Sequence, residues 1–157
     1  MTKAELLRCL KETHQQTLDL LREADPFQVI YEESGWRVKD IAAHVATWDA
    51  ETLRSLHALR RGTEYRIPNF DGNDNFNAYA ATARMDEPMD YIMGDWDATL
   101  KWLNIIINSM SEDELSAEMT MPSGKRGIAR DLVEEICQHE TDHMNDIRQK
   151  IAASSES

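Results

Sequence analysis

The sequence predicts an all-α four-helix bundle, and two observations carry that expectation. Four stretches of the 157-residue chain each show one apolar stripe at three-to-four-residue spacing, and none shows sustained period-two alternation. Three of the four prolines fall between those stretches and Pro88 opens one, so none interrupts a helical pattern, where each would cost about 3 kcal/mol. One-sided helices hide their stripes against one another, and four of them close a bundle.

The first helix is expected over 3–24, with Leu7, Leu10, His14, Leu18 and Leu21 as its stripe and Pro26 beyond its end. A second, over 36–61, carries Ile41, Val45, Trp48 and Leu56. Pro88 opens a third over 87–110, with Ile92, Trp96, Thr99, Leu103, Ile106 and Met110 on one face. Pro122 precedes a fourth over 127–152, with Ile128, Leu132, Ile136, His143 and Ile147. The connection over 62–86 is too long for a tight helical hairpin. It can run the roughly 39 Å length of the second helix, so an up-down-down-up order is expected, with helices 2 and 3 parallel. Asp74 to Ala83 within it read as a short extra helix, and no strand is expected. Residues 1–157 read as a single domain with a frayed tail over 152–157.

Composition narrows the function. Seventeen basic residues against 29 acidic ones leave a net charge of −12, which repels phosphate backbones and anionic lipid. A small-molecule partner is expected, with no nucleic acid and no membrane. No apolar run approaches the roughly 18 residues of a membrane span. The amphipathic start MTKAELLRCLKETH lacks the apolar segment of a signal peptide. Cys9 and Cys137 form no CxxC pair and read as reduced thiols. A cytoplasmic protein is the expectation.

Three histidines stand out. His139 and His143, in HETDH, are one helical turn apart and project from one face. His44, in WRVKDIAAHVATWD, lies about 12 Å from its bundle end, while His143 lies about 14 Å and His139 about 20 Å from the same end if helices 2 and 4 are antiparallel. On the helix 4 wheel both fall on the apolar stripe, whereas His57 sits about 140° from His44 and should face solvent. An i, i+4 pair alone also fits hydrogen-bonded core histidines. Three at one level favour a three-nitrogen cation site with an open position. Zn, Ni and Fe(II) all suit neutral imidazole.

HETDH also matches the zinc-protease HExxH, with Glu140 as general base. Only 14 residues follow His143, and Asp146 and Gln149 stand where the extended motif needs Gly and His. Glu140 therefore reads as a solvated helix charge or a weak catalytic candidate. At the level of the histidines lie His14, Asp95, Trp96 and Thr99, while Trp48 and Glu51 follow His44 on its helix. These six are candidates for the pocket wall or for orienting a ligand imidazole. DGNDNFN is no EF-hand, since Phe76 and Thr82 occupy the Gly and Glu places. Cys137 points about 160° from His139 and should not share its metal.

GWRVKDIAAHVATWD, NDNFN, SMSEDEL and HETDHMNDIR, in that order, resemble the DinB-like superfamily of four-helix bundles, which includes YfiT-like metal-dependent hydrolases and bacterial thiol transferases. The resemblance implies a divalent metal held by His44, His139 and His143. It also implies a homodimer, to which Ile105 and Ile107 would contribute by widening the helix 3 stripe. Arg37 stands where the family often has a Ser or Thr helix cap, and Ser34 is expected to cap instead. Function then divides into two readings. One is a metal-dependent enzyme, an S-transferase using a low-molecular-weight thiol or a small-molecule hydrolase. The other is a non-catalytic bundle that sequesters a ligand or metabolite.

Overall fold

The computed structural model describes residues 1–156, and Ser157 at the end of the expected tail lies outside them. The chain forms α1 (Lys3–Glu23), β1 (Val29–Tyr31), β2 (Trp36–Arg37), α2 (Val38–Arg60), α3 (Asn73–Ala83), α4 (Met89–Ser109), α5 (Glu112–Leu115), β3 (Glu118–Thr120), β4 (Arg126–Ile128) and α6 (Ala129–Ser155). The four long helices are those expected, and α3 occupies the crossover. No helix among the described residues is long and apolar enough to cross a membrane.

Side-chain pairings set the directions. The Met1 amino group meets Glu134 and His14 meets Glu140, so α1 runs parallel to α6. Asp49 meets Trp96 and Arg60 meets Ser109, so α2 runs parallel to α4. Lys3 reaches the carbonyls of Asn108 and Met110, which sets α1 against α4. The order is up-down-down-up, with α2 antiparallel to α6.

Several expectations are corrected. Two antiparallel hairpins, β1–β2 and β3–β4, stand where none was expected. Strands of two or three residues are too short to show a period. Each hairpin leads straight into a bundle helix, so they flank α2 and α6. Cys9 and Cys137 are not free thiols but form a disulfide. Parallel packing of α1 on α6 brings their Cα atoms to 6.5 Å, within bridging range, across a sequence separation of 128 that carries no local signal. Ser34 does not cap α2: it accepts from the Trp36 amide, and the Asp40 carboxylate takes the Arg37 amide at 2.9 Å. The last helix runs to Ser155, three residues past its expected end at 152.

The core phase also shifts. In α1 the buried residues are Leu6, Leu10, His14, Thr17 and Leu21. Adjacent leucines at 6 and 7 allow either phase, and packing selects the first. Ile107 is wholly buried while Ile105 is exposed, so only Ile105 lies beyond the core. On α6 the core face is Val133, Ile136, Cys137, Glu140, Met144 and Ile147. His139 and His143 lie half-buried at its edge, not on the stripe itself. An edge position leaves the imidazoles reachable from outside.

Candidate metal centre

His44 sits in the second turn of α2, and His139 and His143 one turn apart on α6. Their Nε2 atoms converge: His44 lies 2.8 Å and His143 3.1 Å from His139. All three donor atoms fall within 4.8 Å of one another. A cation about 2.0–2.1 Å from three imidazole nitrogens would space them about 2.9 Å apart at right angles and about 3.4 Å apart in a tetrahedron. The two separations about His139, 2.8 Å and 3.1 Å, lie close to the right-angle spacing. The donor set fits a divalent cation.

The β1–β2 hairpin supports the rings. Tyr31 Oη lies 2.7 Å from His143 Nδ1 and donates to Asp146 Oδ2 at 2.6 Å. Burial first, and the Asp146 bond second, push the phenol pKa up, so the hydroxyl stays protonated. Its proton goes to Asp146, and its oxygen accepts from His143 Nδ1–H. This fixes the tautomer that leaves Nε2 as a lone pair toward the other rings. Removing the phenol with Tyr31→Phe is expected to weaken divalent-cation affinity by roughly 10–100-fold, read by competition with a chromophoric chelator. The Trp36 ring packs against His44, centroids 5.1 Å apart, while His44 Nδ1 is buried without a partner.

Burial keeps the rings neutral. It depresses His44 to about 3 and His139 to about 4, neighbouring imidazoles adding to the effect. His143 is also lowered by burial, with Asp146 and Asp142 opposing. Depressed folded values mean the unfolded chain binds more protons between its own value of roughly 6.5 and the folded ones. The triad's stability contribution in metal-free protein is therefore present above that unfolded value and lost as pH falls through about 4 for His139 and toward about 3 for His44. Urea titrations of chelator-treated protein should show falling midpoints across that window, and a smaller fall in His44→Gln.

A cavity of about 510 Å³ opens on the triad, with His44 and His139 in its wall. Trp48 lines it, and its indole N–H donates to Asn77 of α3 at 2.7 Å. Asn73 of α3 and Lys125 of the β3–β4 hairpin form the outer side. The crossover helix and both hairpins thus border the centre.

The remaining expected residues are placed elsewhere. Glu140 is buried and lies 3.1 Å from His14 Nδ1, inside the bundle and not at solvent. His14 packs edge-on against Trp96, whose N–H donates to buried Asp49 at 2.7 Å. Burial, then the Glu140 charge, raises the Asp49 carboxyl well above its usual range. Glu51 accepts from Arg54 and Tyr65 and does not meet a ligand imidazole. Asp95 is exposed and bound by Arg84 at 2.7 Å, and Thr99 donates to the Asp95 carbonyl. Sequence reasoning missed Tyr31, Trp36 and Asp146. Asp146 carried a signal, being three residues after His143 and so on its helix face.

A parallel-antiparallel four-helix bundle with three converging imidazoles, one buried and two at the edge of its core, defines the class of protein. The model of the DinB superfamily matches residues 10–147, and the chain belongs to that superfamily. The chain is similar in fold to the crystal structure of a mycothiol-dependent maleylpyruvate isomerase, with a TM-score of 0.73 and 21% sequence identity, over 93% of this chain and 60% of that one. A histidine-to-alanine variant of that isomerase matches with a TM-score of 0.71, the same identity and the same coverage. This chain therefore spans about three fifths of the length of the solved structures it matches. The comparison with curated proteins found no match.

Proposed function

We propose that the protein is a metal-dependent enzyme in which His44, His139 and His143 hold one divalent cation and a low-molecular-weight thiol is joined to a small electrophile. The observation that carries this reading is the convergence of three neutral imidazoles, two of which, His44 and His139, stand in the wall of a cavity. A divalent cation there would lower the pKa of a thiol or of water at neutral pH. In the transfer the thiol loses its proton to solvent at the cavity mouth and the sulfur forms a bond to an electrophilic carbon. Any leaving group departs with the electron pair of the bond it breaks. Tyr31 and Asp146 orient His143 throughout, and Trp48 and Ile136 give the electrophile an apolar wall. The mycothiol dependence of the similar isomerase supports a thiol. The cation is Zn, Ni or Fe(II), since three imidazoles suit each.

The net charge of −12 supports a small-molecule substrate over nucleic acid or a membrane surface. The cytoplasmic reading rests on that thiol chemistry, because the Cys9–Cys137 disulfide removes the argument from reduced cysteines. Exposed Ile105 and Trp102 on α4 support a homodimer. Sedimentation equilibrium at high micromolar protein should give twice the chain mass, and a monomer would end the dimer reading.

The test of function is metal analysis of protein purified without a histidine tag, followed by transfer assays with mycothiol, bacillithiol and glutathione. Stoichiometric metal with thiol turnover is the expected result. Hydrolysis without thiol would reassign the reaction, and tight ligand binding without turnover would make the bundle a sequestering protein.

A further inference from the structure

Because α2 and α6 are antiparallel, residues after His44 lie level with residues before His139. Trp48 and Glu135 sit one turn, about 6 Å, along the groove, and Thr52 and Asp131 about 12 Å along it. All four line the cavity that opens on the imidazoles. Glu135 and Asp131, spaced i, i+4, have no hydrogen-bond or ion-pair partner among the described residues. Burial first, and the Asp131 charge second, push the Glu135 carboxyl up. Two like charges one turn apart cost stability that a cation between them would return. Thr52 is wholly buried, yet its Oγ1 has no partner at the same level. Across the cavity Arg126 is already held by Glu64 and Thr120, and the exposed Lys125 ammonium of the same hairpin makes no ion pair with either carboxylate.

We propose that this groove takes an aminothiol: a ligand whose ammonium meets Glu135, with the Asp131 charge one turn beyond adding to the attraction, while its sulfur end faces His44, His139 and His143. Thr52 hydrogen-bonds the ligand's polar far end. The thiol end rests on the function proposed above, whereas the amine end rests on the groove alone. Neutral or N-acylated thiols lack the charge that the acidic pair is placed to meet.

Cysteamine and N-acetylcysteamine differ in that charge. Both can be titrated at neutral pH into Co(II)-loaded protein while sulfur-to-Co(II) absorption is followed. Wild type is expected to bind cysteamine at least about tenfold more tightly, the scale of one charge-assisted hydrogen bond. Glu135→Gln should bring the two probes to parity with its Co(II) content unchanged, and Asp131→Asn should narrow the gap. Equal affinity in wild type would overturn the amine site and leave the thiol reading standing. A preference undiminished in Glu135→Gln, as amine chelation of the ion would produce, would also overturn it. Failure of both thiols to perturb the absorption would overturn the thiol reading and the aminothiol together.

Discussion

Replacing His44, His139 or His143 singly with alanine is expected to abolish tight divalent-cation binding, while His57→Ala leaves it unchanged. The three Nε2 atoms form one donor set, with His139 in the middle, 2.8 Å and 3.1 Å from the other two. Losing one leaves two imidazoles on a cation that prefers at least three protein ligands and an open position. The loss should exceed the roughly 10–100-fold that removing an outer partner costs. His57 is exposed near the far end of α2 and shares no atom with the centre. Dialysis against a buffered metal, followed by elemental analysis of each variant, reads the outcome. A wild-type content in His44→Ala would reduce the centre to an HxxxH pair.

Breaking the Cys9–Cys137 disulfide is expected to lower stability by about 2–4 kcal/mol. The bond closes a loop across 128 residues, so it removes many conformations from the unfolded chain. It also ties α1 to α6 two residues before His139. Guanidinium titrations of oxidised protein and of Cys9→Ser should separate by that amount, and reducing agent should shift only the oxidised form. Coincident curves would mean that helix packing alone sets the stability. The substitution is mild, because Cys9 is half-buried and serine fits its volume.

Much of this fold was legible because helices broadcast their faces through a fixed period. Stripes of isoleucine, leucine and tryptophan located α1, α2, α4 and α6, and a rise of about 1.5 Å per residue was enough to put the three histidines at one level. What the period leaves open is phase where apolar residues adjoin. Leu6 and Leu7 could each have faced inward, and only the packing of α1 against α4 and α6 selects Leu6. The same limit moved His139 and His143 from the stripe to its edge. Tyr31 was hidden for another reason. It belongs to a three-residue strand whose place beside His143 is set by how the chain turns between α1 and α2. Glu51 shares the helix of His44, but Arg54 one turn on and Tyr65 in the crossover claim its carboxylate. Glu140 read as a surface charge because its partner, His14, lies 126 residues away on another helix.

X-ray absorption at the metal edge of the loaded protein tests the central claim most directly. Three imidazole nitrogens at about 2.0–2.1 Å, with the outer-ring scattering of three histidines, are the expected first shell. Loss of one imidazole in His44→Ala should accompany whatever metal that variant retains. A wild-type spectrum fitted by two imidazoles or fewer, or by sulfur from the protein, would contradict the three-histidine centre.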